Sequence, residues 1–227
     1  MDMFKTTYGL IKNREKATQV VSKAWEFAKN NKKENLLWII YLNGLSLEKV
    51  EKKFDLPVSI GDAIVVISVA LPTLKERGKA SDTLYILVEN ETGKKLYTTK
   101  RLVDVDNLIA FEFKKRMEHI IPREIIRAAV KTFLQVEAKK YFGSVGNLIA
   151  LAYSQATTKA DTRQWLWLPK EIQVNVVKLP KDGMVTIYIP NQKKYILNLN
   201  NNKSSKIIFV RNFYPKNEVI YYEANLP

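Results

Sequence analysis

The residues with the most chemical promise lie between 160 and 179, in ADTRQWLWLPKEIQVNVVKL. An acid and a base, Asp161 and Arg163, stand one residue apart, beside two of the chain's four tryptophans, Trp165 and Trp167. Such a cluster can be a binding site, since Trp and Arg favour interfaces. It can equally be the point where helices hand the chain back to a sheet. In that second reading Asp161 caps the turn, Arg163 reaches a carboxylate or helix-end carbonyls, Trp165 plugs the core and Pro169 sets the entry into the next strand. Trp167 then keeps the role of facing a partner, with Tyr188 and Tyr195 as further candidate partner-binding aromatics.

Catalytic patterns are scarce. The one histidine, His119, falls in KKRMEHIIP, where it reads as a charge partner for a helix C-terminus. The carboxylates Asp104 and Asp106 of VDVD suit the cap of a following helix, and no further ligands follow at calcium-loop spacing. There is no G-x-S-x-G elbow, Walker loop or H-E-x-x-H. The chain has no cysteine, which removes disulfides, thiolate metal sites and thiol nucleophiles within it. No catalytic, metal-binding or cofactor-binding residue is named from these patterns, and no cofactor is expected.

The elements that must position these residues come in blocks. The first ~30 residues carry Val20, Val21, Ala24, Phe27 and Ala28 at helical spacing. LLWIIYLNGL reads as a strand closed by the turn pair Asn43-Gly44, and LEKVEKKFDLPV as a second strand ending at Pro57. AIVVISVALP, apolar on both faces, reads as a central strand. TLYILVENETGKKLYTTKRLV reads as a hairpin turning at 91–93. Near Asp104 the period changes to that of helices, three of them by the signals at Pro122 and Gly143. Short strands at roughly ten-residue spacing then run to the end. The expectation is an α+β fold: an antiparallel β-sandwich of about nine strands carrying a three-helix insertion at about 104–159, preceded by one N-terminal helix. Residues 1–32 form the helix or linker, and 33–227 the sandwich domain.

Composition narrows the function classes. Hydrophobic residues make up 46%, which suits a globular chain. No apolar run reaches the length of a membrane helix, and the start has no signal-peptide pattern, which leaves the cytosol open. The net charge of +14 invites nucleic acid, but only eight of 37 basic residues are Arg, and the Lys are scattered. Solvation, or attraction to an anionic surface, accounts for them more simply.

Two stretches carry a resemblance. RLVDVDNLIAFEFKKRMEHIIPREIIRAAVKTFLQVEAKK (101–140) and ADTRQWLWLPKEIQVNVVKLPKDGMVTI (160–187) resemble the C-terminal region of a family of uncharacterised bacterial envelope lipoproteins. In that family a tetratricopeptide-like helical region precedes a β-rich domain. The matching positions are Leu102 to Val105, Arg127 to Lys131, Ala160, Asp161, Arg163, Trp165, Leu168, Pro169, Ile172, and Leu179-Pro180 followed by Gly183. The resemblance spans roughly 35–190 and departs from the family by lacking the lipid-bearing cysteine and most of the helical region. It implies a C-terminal portion, with residues 1–30 as the last helix of the missing part. It also implies a periplasmic location, or an outer-membrane anchor through a lipoprotein signal further upstream.

The function expected from these readings is a non-catalytic structural or scaffolding domain of an envelope assembly, with envelope protein partners and contact to an anionic cell-wall or membrane surface. Nucleic acid is not an expected partner. A glycan- or peptidoglycan-binding module is the alternative, and a basic nucleic-acid-binding protein the second.

Overall fold

The computed structural model describes residues 2–31, 34–60, 63–90, 93–190, 192–199 and 204–226. Its contacts divide the chain into two compact units: residues 1–47, 76–109 and 166–227, and residues 48–75 and 110–165. The described residues form an α+β fold with eleven strands in three sheets.

The first unit holds two sheets. One has the order β11-β10-β1-β7-β6, built from β1 (Leu36–Asn43), β6 (Lys100–Asp104), β7 (Glu171–Lys178), β10 (Lys206–Asn212) and β11 (Ile220–Asn225). The other has the order β5-β4-β8-β9, built from β4 (Tyr85–Asn90), β5 (Gly93–Thr98), β8 (Met184–Tyr188) and β9 (Tyr195–Asn198). Alternation drives their packing. Leu37, Ile39 and Tyr41 on β1 point to one side at the two-residue period of a strand. They join Val177, Ile208 and Val210 of the same sheet and Ile86, Val88, Val185, Ile187 and Leu197 of the other in one buried cluster. Each such side chain stabilises the fold by roughly 1.5–3 kcal/mol relative to exposure. Helix α1 (Asp2–Asn30) lies against β6 and β7.

The second unit holds a two-stranded ribbon, β2 (Glu48–Ile60) and β3 (Ala63–Lys75), paired antiparallel from Glu48↔Lys75 to Ile60↔Ala63. It also holds helix α2 (Val105–Thr157) from residue 110 onward, the first turn of which belongs to the first unit. Gly143, at φ 61° and ψ −146°, interrupts the helix.

Several expectations are corrected here. Where the sequence places about nine strands in one antiparallel sandwich, the described residues form eleven in three sheets, and the β1–β10 ladder is parallel. Only strands joined by a short turn must be antiparallel; β1 and β10 lie far apart in sequence and are free of that constraint. AIVVISVALP is no central strand, since β3 pairs with β2 alone. β2 runs on through Pro57, which a ribbon tolerates because each strand keeps an edge that needs no donor. Helix α2 also continues through Pro122. The break falls only at Gly143, where a positive φ that L side chains resist ends the helical path. The turn residues 91 and 92 of the expected hairpin lie outside the described residues, but the strands flanking them pair down to Asn90↔Gly93.

Candidate functional site

The aromatic–ionic segment does not form a joint site. Asp161 and Arg163 pair with each other, Nε to Oδ1 at 3.0 Å and Nη2 to Oδ2 at 2.9 Å, and both are exposed. The guanidinium holds the Asp161 carboxyl well below the usual carboxylate range. Trp165 is 80% exposed and plugs no core, a correction to its expected role. The ties to β2 come from its neighbours: the Lys49 N–H donates to Gln164 Oε1 at 2.6 Å, and the Ala160 N–H to Glu51 Oε2 at 2.7 Å. The Arg163 guanidinium turns back to Asp161, so a pair read as a lock is a local ring, and it is the Arg163 carbonyl that accepts from Lys49 Nζ of β2 at 3.3 Å.

The remaining candidates scatter. Asp104 ends β6, where its carboxylate accepts the Asn107 N–H at 3.1 Å and meets Arg101. Arg127 is exposed and pairs with Glu124 at 2.8 Å. Pro169 stands between Leu168, whose carbonyl accepts the Ser46 N–H, and Lys170, whose N–H donates to the Asn43 carbonyl. Trp167 is exposed, edge-on to Phe213 at 5.6 Å, with Arg211 over that Phe ring. Tyr188 stacks on Tyr85 at 5.3 Å, and Tyr195 packs on the core with its hydroxyl accepting the Val219 N–H. His119 lies within α2 and not at a helix end, because the helix runs on past it.

Sequence reasoning missed a buried polar cluster at one end of the first unit's core. Strand register aligns Asn212, Asn43, Glu171 and Asp104 across four neighbouring strands. Asn43, wholly buried, is its centre. Its Oδ1 accepts from Tyr41 Oη and the backbone N–H groups of Ala80 and Ser81; its Nδ2 donates to the Ser81 carbonyl and to Glu171 Oε1, each at 2.7 Å. Gln173 Nε2 donates to the same Glu171 oxygen at 2.6 Å, while its Oε1 accepts from Thr99 Oγ1 at 2.5 Å. The signal was present as Tyr-x-Asn ending β1 and Glu-x-Gln opening β7: polar residues on the face that otherwise points inward.

Chemically, the groups around Asn43 are mostly paired with one another, while the buried Asn212 Oδ1 has no hydrogen-bond partner. Ser81 Oγ lies 2.7 Å from Tyr41 Oη and borders an opening of about 350 Å³. A serine needs a neighbouring base to become a nucleophile. Burial pushes the Tyr41 phenol up to about 12, so at neutral pH it is a proton donor and not that base. Beside the cluster Lys170 bridges Asp106 at 2.5 Å and Glu76 at 2.8 Å; burial alone would lower its pKa, but the two carboxylates outweigh that and raise it. Among the described residues no group of three or more potential ligands is arranged to hold a metal ion.

Two surfaces remain open to partners. In the first unit a cleft of about 780 Å³ runs between α1 and β5, β6 and β7. Lys16, Lys23, Lys100 and Arg101 line it against one acid, Asp104, with Phe27 and Tyr97 among its apolar walls. In the second unit α2 exposes Ile126, Val130, Phe133 and Leu134 before Gly143, and Val145, Leu148, Ile149 and Tyr153 after it, each more than half exposed. Its buried positions are instead small or polar: Ala128, Thr132, Gln135, Gly146 and Ser154. Burial on this stretch is therefore inverted relative to a water-facing helix, whose large apolar side chains point inward.

No family model, curated protein or solved structure matches this chain.

Proposed function

We propose that this chain is a non-catalytic interaction module of a bacterial envelope assembly, in which the nine strands of the two larger sheets act as a sandwich-like scaffold and α2 is the presenting element. The observation that carries this reading is the inverted burial on α2. Large apolar side chains left in water on both sides of Gly143 lack an energetic reason unless something covers them. The hydrogen bonding around Asn43 supports the same reading, because the amide of Asn43 and Oε1 of Glu171 are spent on neighbouring groups. The envelope setting rests on the resemblance carried by 101–140 and 160–187.

A photo-crosslinking amino acid at Leu148 tests this in cells, with one at exposed Lys95 on β5 as control. Saturable adducts from position 148 alone are expected. Equal labelling at both positions, or none at either, would count against a docking role.

A second reading, a glycan-binding module, is favoured by exposed Trp167 beside Phe213 and Arg211. It requires co-sedimentation with purified cell wall that Trp167→Ala abolishes; retention of binding by that variant removes it.

A further inference from the structure

We propose that the helical arm around Gly143 docks on an anionic lipid surface, lying within the headgroup layer. This rests on the interaction-module reading and names its partner. Three observations converge on it. The first is the shape of the arm. Beyond Gly143 the helix returns alongside its preceding part: Lys131 Nζ donates to Thr158 Oγ1 at 3.0 Å, and a Cβ on Gly146 would sit 2.6 Å from the Ala138 carbonyl oxygen. Small residues at that contact let the two segments close on each other, as helices do where large side chains are needed for lipid. The large apolar side chains are those left exposed.

The second observation is where charge stops. From Tyr141 to Thr158 there are eighteen consecutive residues without a charged side chain, bracketed by Lys140 and Lys159. At the bend Tyr141 is 78% and Phe142 74% exposed. Aromatic rings at the tip, apolar side chains behind them and lysines at the margins are the distribution that seats a helix in the boundary between headgroups and acyl chains. No described helix is long and apolar enough to cross a membrane, so the arm is assigned to the interface.

The third observation decides between lipid and a second copy. Residues 110–165 carry ten basic side chains against five acidic ones, within a chain of net charge +14. Two such arms facing each other would bring like charges together. An anionic surface instead attracts them, by about 1 kcal/mol per basic residue near it.

The chain contains no cysteine, so Leu148→Cys supplies a unique thiol for an environment-sensitive fluorophore. The labelled protein is titrated with vesicles of phosphatidylglycerol and phosphatidylcholine in equal parts, and with vesicles of phosphatidylcholine alone. Expected are a blue shift with the anionic vesicles, partition about ten-fold weaker to the neutral ones, and no shift from the same label at Lys95→Cys. Lys140→Glu with Lys159→Glu should weaken partition about ten-fold or more while circular dichroism stays unchanged, which separates loss of binding from loss of fold. Sedimentation without lipid provides the opposing outcome. A blue shift that grows with protein concentration and ignores vesicles overturns the lipid assignment in favour of a second copy, leaving the module reading intact. A label that stays in water under every condition overturns the lipid assignment; absence of crosslinks at Leu148 as well removes both.

Discussion

Asn43 shows how one side chain can organise a core end. It uses both lone-pair directions of its oxygen and both hydrogens of its amide, so any substitution strands partners. Asn43→Ala takes their partner from the Ala80 and Ser81 N–H groups and the Ser81 carbonyl, and leaves Glu171 Oε1 with Gln173 alone. The expected cost is ~2–4 kcal/mol, read as a lower urea midpoint at unchanged slope. Tyr41 adds a pH signature. Its phenol is held up to about 12 against an unfolded value near 10, so the folded state keeps a proton that the unfolded state releases. That contribution is fully present below pH ~10 and is lost as pH rises through the folded value. Tyr41→Phe should therefore flatten the alkaline limb of the stability curve between about pH 10 and 12, while costing ~1 kcal/mol at neutral pH from its lost hydrogen bonds. An alkaline limb identical to that of the parent chain would show that Tyr41 does not govern it.

Among the elements, two glycines act in different ways. Gly44, at φ 64°, follows β1 where the backbone of Gly78 and Lys79 approaches; a Cβ would come within 2.7 Å of both. Gly44→Ala combines strain with a backbone clash and should cost ~2–3 kcal/mol. Gly143, at φ 61°, meets nothing within 4 Å, so Gly143→Ala carries only the conformational penalty, ~1–2 kcal/mol. Thermal melts of the two variants should rank in that order. The Asn43-Gly44 pair was legible in the sequence as a turn signal, yet its weight lies in the buried amide and the close approach, neither of which has a local signature. Gly143 was legible as a break because tolerance of a positive φ is a property of glycine itself. Pro122 misled for the complementary reason: it removes one donor from a helix, and the rest of a long helix carries on past it.

At the scale of the whole molecule, the two units differ in what holds them. The first has a contiguous core drawn from two sheets, whereas in the second the described residues include few large buried side chains and many exposed ones on α2. Native-state hydrogen exchange should find β1, β7 and β10 opening only with global unfolding, and the β2–β3 ribbon and the part of α2 beyond residue 110 opening at lower free energy. Uniform protection across both units would contradict this. By itself the sequence determined the α+β class, the N-terminal helix, the apolar strands and a helical block at about 104–159, because these follow from periodicity and local backbone preference. Only the tertiary structure decided that β1 pairs in parallel with β10, that β2 and β3 form a ribbon of their own, and that Trp165 faces solvent. Each of these depends on which distant segments meet, and a side chain's burial is set by its neighbours in space, not by its own apolarity. Asp161 and Arg163 make the same point in reverse: one residue apart in the chain, their side chains pair with each other in solvent.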